Sequence, residues 1–142
     1  MRIMAIDYGD AHTGIAISDP TGFMAGFTTT IDAYRPEAVV ERIAALAAGH
    51  SAEELVLGYP KNMDGSLGPR AEKAEALAEL LRQATSLPVI LWDERRTTID
   101  AHQILLNNGK NAKKRKKTVD AVAASLILEG YLTYKKAQEN RP

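Results

Sequence analysis

Cysteine is absent from the 142 residues, which excludes disulfides and leaves nothing that points to an oxidising compartment. Histidine is scarce. His12, His50 and His102 do not fall at a zinc-ligand spacing, and without thiolates a zinc site finds no support. No apolar run approaches the roughly 20 residues of a membrane-spanning helix, and no apolar stretch followed by a small-residue cleavage site precedes the first strand pattern. The expectation is a cytoplasmic protein that does not partner a membrane. Neither a nucleophile elbow nor a Walker loop is present. Net charge is missing as well: 18 Lys and Arg balance 18 Asp and Glu.

That balance conceals an asymmetry. Lys110, Lys113, Lys114, Arg115, Lys116 and Lys117 supply six of the 18 basic residues within one short run that has no acid, leaving 12 basic against 18 acidic residues elsewhere. A basic patch on an otherwise acidic body suits a polyanion met at one place, although a charge run by itself is equally a solvated loop. Hydrophobic residues at 45% and charged residues at 25% are values of a globular chain. The length fits one domain, expected over residues 1–138 with a tail at 139–142.

Two short apolar runs, Ile3–Tyr8 and Thr13–Asp19, flank a polar connection at Gly9–His12 and predict a hairpin. Asp19-Pro20-Thr21-Gly22 is turn chemistry, and Gly22–Ile31 is rich in sheet formers, so a third antiparallel strand is expected. Pro36 opens a helix whose stripe is Val39, Val40, Ile43, Leu46 and Ala47, ending near Gly49. A buried strand over Glu54–Gly58 leads into the Gly/Pro-rich loop Gly58–Pro69, long enough to suggest function. Arg70–Thr85 is again helical, Pro88–Trp92 is a second buried strand, and Thr97 with Asp100 has the spacing of a capping box for a helix that stops at Gly109. After the basic run, Thr118 caps a last helix from Val119. The order βββαβαβαα predicts an α/β fold, a mixed sheet with helices packed on it.

In such sheets ligands gather at the carboxyl ends of the parallel strands. Asp7 stands there, a carboxylate in an apolar run, and an isolated buried charge must be paired, neutralised or bound to a metal. Just past the fifth strand lie Asp93 and Glu94, whose side chains alternate, so only one can share a face with Asp7; periodicity does not choose between them. Asp120 lies in the first turn of the last helix, where Ala121, Ala123 and Ala124 permit close approach to the sheet. Singly, these residues read as a turn cap, a surface ion pair and a dipole-compensating acid. Converging, they would call for a hard cation, and such clusters hold one or two Mg²⁺ or Mn²⁺ ions for attack of water on a phosphodiester.

Four motifs in order, Ala5-Ile6-Asp7-Tyr8-Gly9 with Gly14-Ile15-Ala16, Gly58-Tyr59-Pro60-Lys61-Asn62-Met63-Asp64-Gly65, Asp93-Glu94-Arg95-Arg96-Thr97-Thr98 and Val119-Asp120-Ala121-Val122-Ala123-Ala124, cover nearly the whole chain. Together they resemble the YqgF (RuvX) family of Holliday junction resolvase-like and ribosomal RNA precursor nucleases. The resemblance implies an RNase H-like five-stranded sheet, with the first three strands antiparallel, the fourth and fifth parallel to the first, and helices on both faces. It implies metal-binding catalytic carboxylates at Asp7, Glu94 and Asp120, and so selects Glu94 over Asp93. It further implies that the loop with Lys61 and Asn62 and the basic run with Lys113, Lys114, Arg115, Lys116 and Lys117 lie beside the nucleic acid; Arg95 and Arg96 read as pairing phosphate oxygens, or one of them as orienting Glu94. Family members carry Lys at the position of Ala11, a charge this chain lacks.

The leading expectation is therefore a Mg²⁺- or Mn²⁺-dependent endonuclease acting on structured RNA or branched DNA. Its expected task is processing the 5′ end of the small-subunit (16S) ribosomal RNA precursor, with ribosomal precursor particles as candidate partners and junction cleavage as the alternative. Two other classes compete: a non-catalytic nucleic-acid-binding factor, and an actin-like ATPase or sugar kinase, whose phosphate loop the Asp7–Gly14 stretch is similar to but whose two-domain architecture the chain is too short to hold.

Overall fold

The computed structural model describes residues 1–22, 25–61, 64–93 and 112–139, with the backbone alone described over 112–120. Strands β1 (Ile3–Asp7), β2 (His12–Ser18) and β3 (Ala25–Asp32) are followed by helix α1 (Pro36–Gly49), strand β4 (Glu54–Tyr59), helix α2 (Pro69–Thr85), strand β5 (Val89–Asp93) and helix α3 (Ala112–Glu139). One five-stranded sheet runs in the order β3-β2-β1-β4-β5. β2 is antiparallel to β1 and β3, whereas β4 pairs parallel with β1 and β5 parallel with β4.

Local chemistry accounts for the boundaries. Gly22, at φ 73°, donates its amide to the Asp19 carbonyl at 2.9 Å and closes the β2–β3 turn. Pro36 and Pro69 take the first positions of α1 and α2, where a missing amide costs no hydrogen bond. α2 ends at Ser86 in the left-handed region, whose amide reaches the Arg82 carbonyl.

Strand alternation divides the buried apolar residues into two layers. Met4, Ile6, Ile15, Leu55, Leu57 and Val89 face α1 and α2, which contribute Val39, Ile43, Leu77 and Leu81. Ile3, Ala5, Ala16 and Val56 face α3, which contributes Ala124, Ile127, Leu128 and Leu132. Two fixed points orient α3. Near its C-terminal end, the Tyr131 hydroxyl donates to the buried Glu54 carboxylate at the start of β4, and Lys135 Nζ lies 2.9 Å from the same carboxylate. Both contacts bring the C-terminal end of α3 to the amino edge of the parallel strands.

Three expectations are corrected. β3 begins at Ala25 rather than Gly22, and β4 continues to Tyr59. More consequentially, the described part of the basic run, residues 113–117, is not a loop preceding a helix at Val119: α3 is helical from Ala112, with Thr118 in its interior. Ala, Lys and Arg are among the better helix formers, so the run propagates a helix where charge alone suggested a solvated connection. The expected helix from Thr97 to Gly109 lies outside the described residues. Among the described residues, no helix is long and apolar enough to cross a membrane.

Candidate active site

The site is built around the end of β1. Gly9 makes the turn after Asp7 possible, because a Cβ there would lie 2.3 Å from the His12 carbonyl oxygen. On the far side of the turn, His12 Nδ1 lies 2.7 Å from Asp32 Oδ1, tying β2 to the end of β3. His12 is thus engaged by Asp32.

Alternation along β1 fixes the direction of Asp7. Met4 and Ile6 face α1 and α2, Ile3 and Ala5 face α3, and Asp7 consequently lies on the α3 side, half-buried. The same argument applies to β5. Val89 and Leu91 pack toward α1 and α2, Ile90 and Trp92 toward α3, so Asp93 falls on the face opposite Asp7. Asp93 instead pairs across the ladder with Tyr59.

The neighbours of Asp7 within the sheet are glycines. Gly14 is its antiparallel partner. On the other side the β1–β4 register, continued by one residue from Ile6↔Leu57, brings Gly58 beside it, and Gly58 in turn pairs with Trp92. One cross-strand row therefore reads Gly14, Asp7, Gly58, Trp92, and the two residues flanking the carboxylate in that row carry no side chain. This was not legible in the sequence, since it depends on pairing between segments more than forty residues apart.

The β4–α2 connection starts at the same edge. The Lys61 amide donates to the Tyr59 carbonyl at 3.0 Å around Pro60, and Lys61 Nζ lies 5.7 Å from the Tyr59 ring centre. Gly65 adopts φ 87°, and Asp64 accepts hydrogen bonds from the Ser66 hydroxyl and amide, which hold its carboxyl below the usual range. Gly68, with ordinary extended backbone, caps α2, so that end of the loop is structural. On the α2 side the Tyr59 hydroxyl donates to Glu75; this bond, aided by burial, pushes the phenol up to about 12.

Of the expected site residues, Asp7 and Lys61 lie at this edge. Glu94, Arg95, Arg96 and Asn62 lie outside the described residues. Asp120, Lys113, Lys114, Arg115, Lys116 and Lys117 are seen as backbone of α3. Among the described residues no three His, Asp or Glu side chains gather closely enough to hold a metal ion.

Four likenesses bear on this geometry. The family profile RuvX, described as Holliday junction resolvase, matches residues 1–134. A protein of Halothermothrix orenii named "Putative pre-16S rRNA nuclease" is 47% identical over 134 residues, covering 94% of this chain and 96% of the relative. One of the same name from Pelotomaculum thermopropionicum is 45% identical over 133 residues, covering 93% and 86%. Among solved structures, Thermus thermophilus RuvC in complex with a Holliday junction substrate superimposes with a TM-score of 0.64 at 14% identity, covering 96% of both chains. The fold is thus the RNase H-like one of that resolvase.

Proposed function

The chain belongs to the RuvX family, and from that membership we propose that it is a metal-dependent endonuclease cleaving the ribosomal RNA precursor near the 5′ end of 16S rRNA. The observation that carries the reading is the direction of Asp7: a half-buried carboxylate at the carboxyl edge of the sheet, on the α3 side, flanked by glycines. Helix geometry supports Asp120 as a second ligand. Position 120 is one turn, about 6 Å, before Ala124, and Asp7 is two residues, about 7 Å, beyond Ala5; Ala124 and Ala5 belong to the same buried layer. Glu94 follows β5 and completes the set. The opposite direction of Asp93 supports that choice.

Three carboxylates are hard oxygen donors, and they fit Mg²⁺ or Mn²⁺ rather than a softer ion. When bound, such an ion supplies acidified water and stabilisation of the departing oxygen. The chain's own residues do the rest. Asp7, fixed by the ladder and the Gly9 turn, orients the attacking water and the scissile phosphate, and the glycines on either side leave that phosphate room to approach. Lys61 and Asn62 offer charge and hydrogen bonds to phosphate oxygens, and Arg95 and Arg96 pair them in bidentate fashion. Lys113, Lys114, Arg115, Lys116 and Lys117 supply sequence-independent backbone affinity.

The test compares the protein with its Asp7→Asn variant on a precursor ribosomal RNA fragment and on a four-way DNA junction, each with Mg²⁺ or Mn²⁺. The expected result is cleavage of the RNA, slowed about 100-fold or more in the variant, since even outer partners of metal ligands cost 10–100-fold. Cleavage of neither substrate, or equal cleavage by both proteins, overturns the proposal. Preference for the junction redirects it to resolution of branched DNA.

A further inference from the structure

The row that contains Asp7 continues through Gly58 to Trp92 on the same face of the sheet. At about 4.7–4.9 Å between strands, the backbones of Asp7 and Trp92 are about 10 Å apart, with no side chain between them in that row. β5 is an edge strand, and Trp92 remains partly exposed there. Its indole packs against α3, which lies on this face. The Tyr131 ring meets it edge-on at 5.6 Å, the Tyr134 ring lies 5.5 Å away at 58°, and a Cβ on Gly130 would come within 3.5 Å of Nε1. Tyr134 is itself 49% exposed.

We propose that Trp92 and Tyr134 form a stacking ledge for an unpaired base of the nucleic-acid strand whose backbone is held at Asp7. The inference rests on the nuclease reading and adds a contact to bases. Every base has a π-face, so such a ledge is indifferent to sequence but selects single-stranded over paired segments. The rings are already ordered by their contacts with α3, so little side-chain freedom is lost on binding. A ledge of this kind directs cleavage to an unpaired stretch beside the bound backbone. If the three rings serve only to seat α3, removing an exposed one alters stability without distinguishing a base from a bare sugar.

Trp92 is the only tryptophan, so its fluorescence reports the ledge directly. The Asp7→Asn protein, which retains the aromatic rings, is titrated with a single-stranded oligouridylate and with an abasic ribose-phosphate chain of equal length. Quenching by the oligouridylate and not by the abasic chain is expected. Tyr134→Ala, at an exposed position, should weaken oligouridylate binding roughly 5-fold or more, the ratio for about 1 kcal/mol of stacking, while abasic binding stays constant and the circular dichroism spectrum is unchanged. Oligouridylate binding without a change in Trp92 emission, or equal weakening for both ligands, overturns the ledge and leaves the nuclease reading standing. Binding of neither oligomer overturns both.

Discussion

A side chain of one carbon decides whether the turn beside the candidate catalytic carboxylate can close. Gly9→Ala would drive a methyl group into the His12 carbonyl, and relief requires the turn to open. The expected loss is about 1–3 kcal/mol of unfolding free energy, measured by urea denaturation. Tyr59 offers a second test at this scale. Its phenol, raised to about 12 by donating to Glu75, favours the protonated form in the folded state. A raised pKa contributes stability that is complete below the unfolded value near 10 and is lost as pH rises toward 12. Ultraviolet titration should show this phenol ionising late, and Glu75→Gln should bring the transition down. Asp7 was legible in the sequence because a carboxylate interrupts an apolar run. The glycines beside it were visible as residues but not as neighbours, since register is a property of paired strands.

Among the elements, α3 departs most from what charge and turn chemistry suggested. Thr118 has the residue type of a cap, and the lysines before it read as solvated, yet propensity carries the helix back to Ala112. The part that packs on the sheet was readable: Ala123 and Ala124 are buried against it, as close approach demands. Ala124→Leu should force helix and sheet apart, costing about 1–3 kcal/mol by overpacking. Because the candidate ligand at Asp120 lies one turn before Ala124 on the same helix, cleavage should fall further than the stability loss explains; comparing thermal midpoints with cleavage rates checks this. The basic positions make a separate prediction. Lys113→Gln with Lys116→Gln should flatten the dependence of log K on log salt by about 0.7 for each single-strand phosphate that the variant no longer neutralises.

For the whole molecule, the alternation of three strands with strand–helix units was sufficient to predict the mixed sheet and the helices packed on it. The anchor of one of its faces was not readable. Glu54 reads as a polar residue opening a strand, whereas in the fold it is buried, accepting from Tyr131 and paired with Lys135. Its partners lie nearly eighty residues away, beyond any local pattern. Glu54→Ala leaves Lys135 and the Tyr131 hydroxyl without this acceptor, and a loss of about 1–3 kcal/mol is expected, as for a buried donor left unsatisfied. Trp92 emission and far-ultraviolet circular dichroism should shift to lower denaturant together, because both layers share one sheet.

The glycine-flanked row around Asp7 has a last consequence. Strands that present no side chain beside the carboxylate hold it in position without expressing a preference between one nucleic acid and another. On the function proposed above, discrimination falls to groups away from those glycines, the β4–α2 connection and the rings of Trp92 and Tyr134. Cutting and choosing would then be separable. Substrate preference could drift through substitutions there while the twin apolar layers and Asp7 remain as they are.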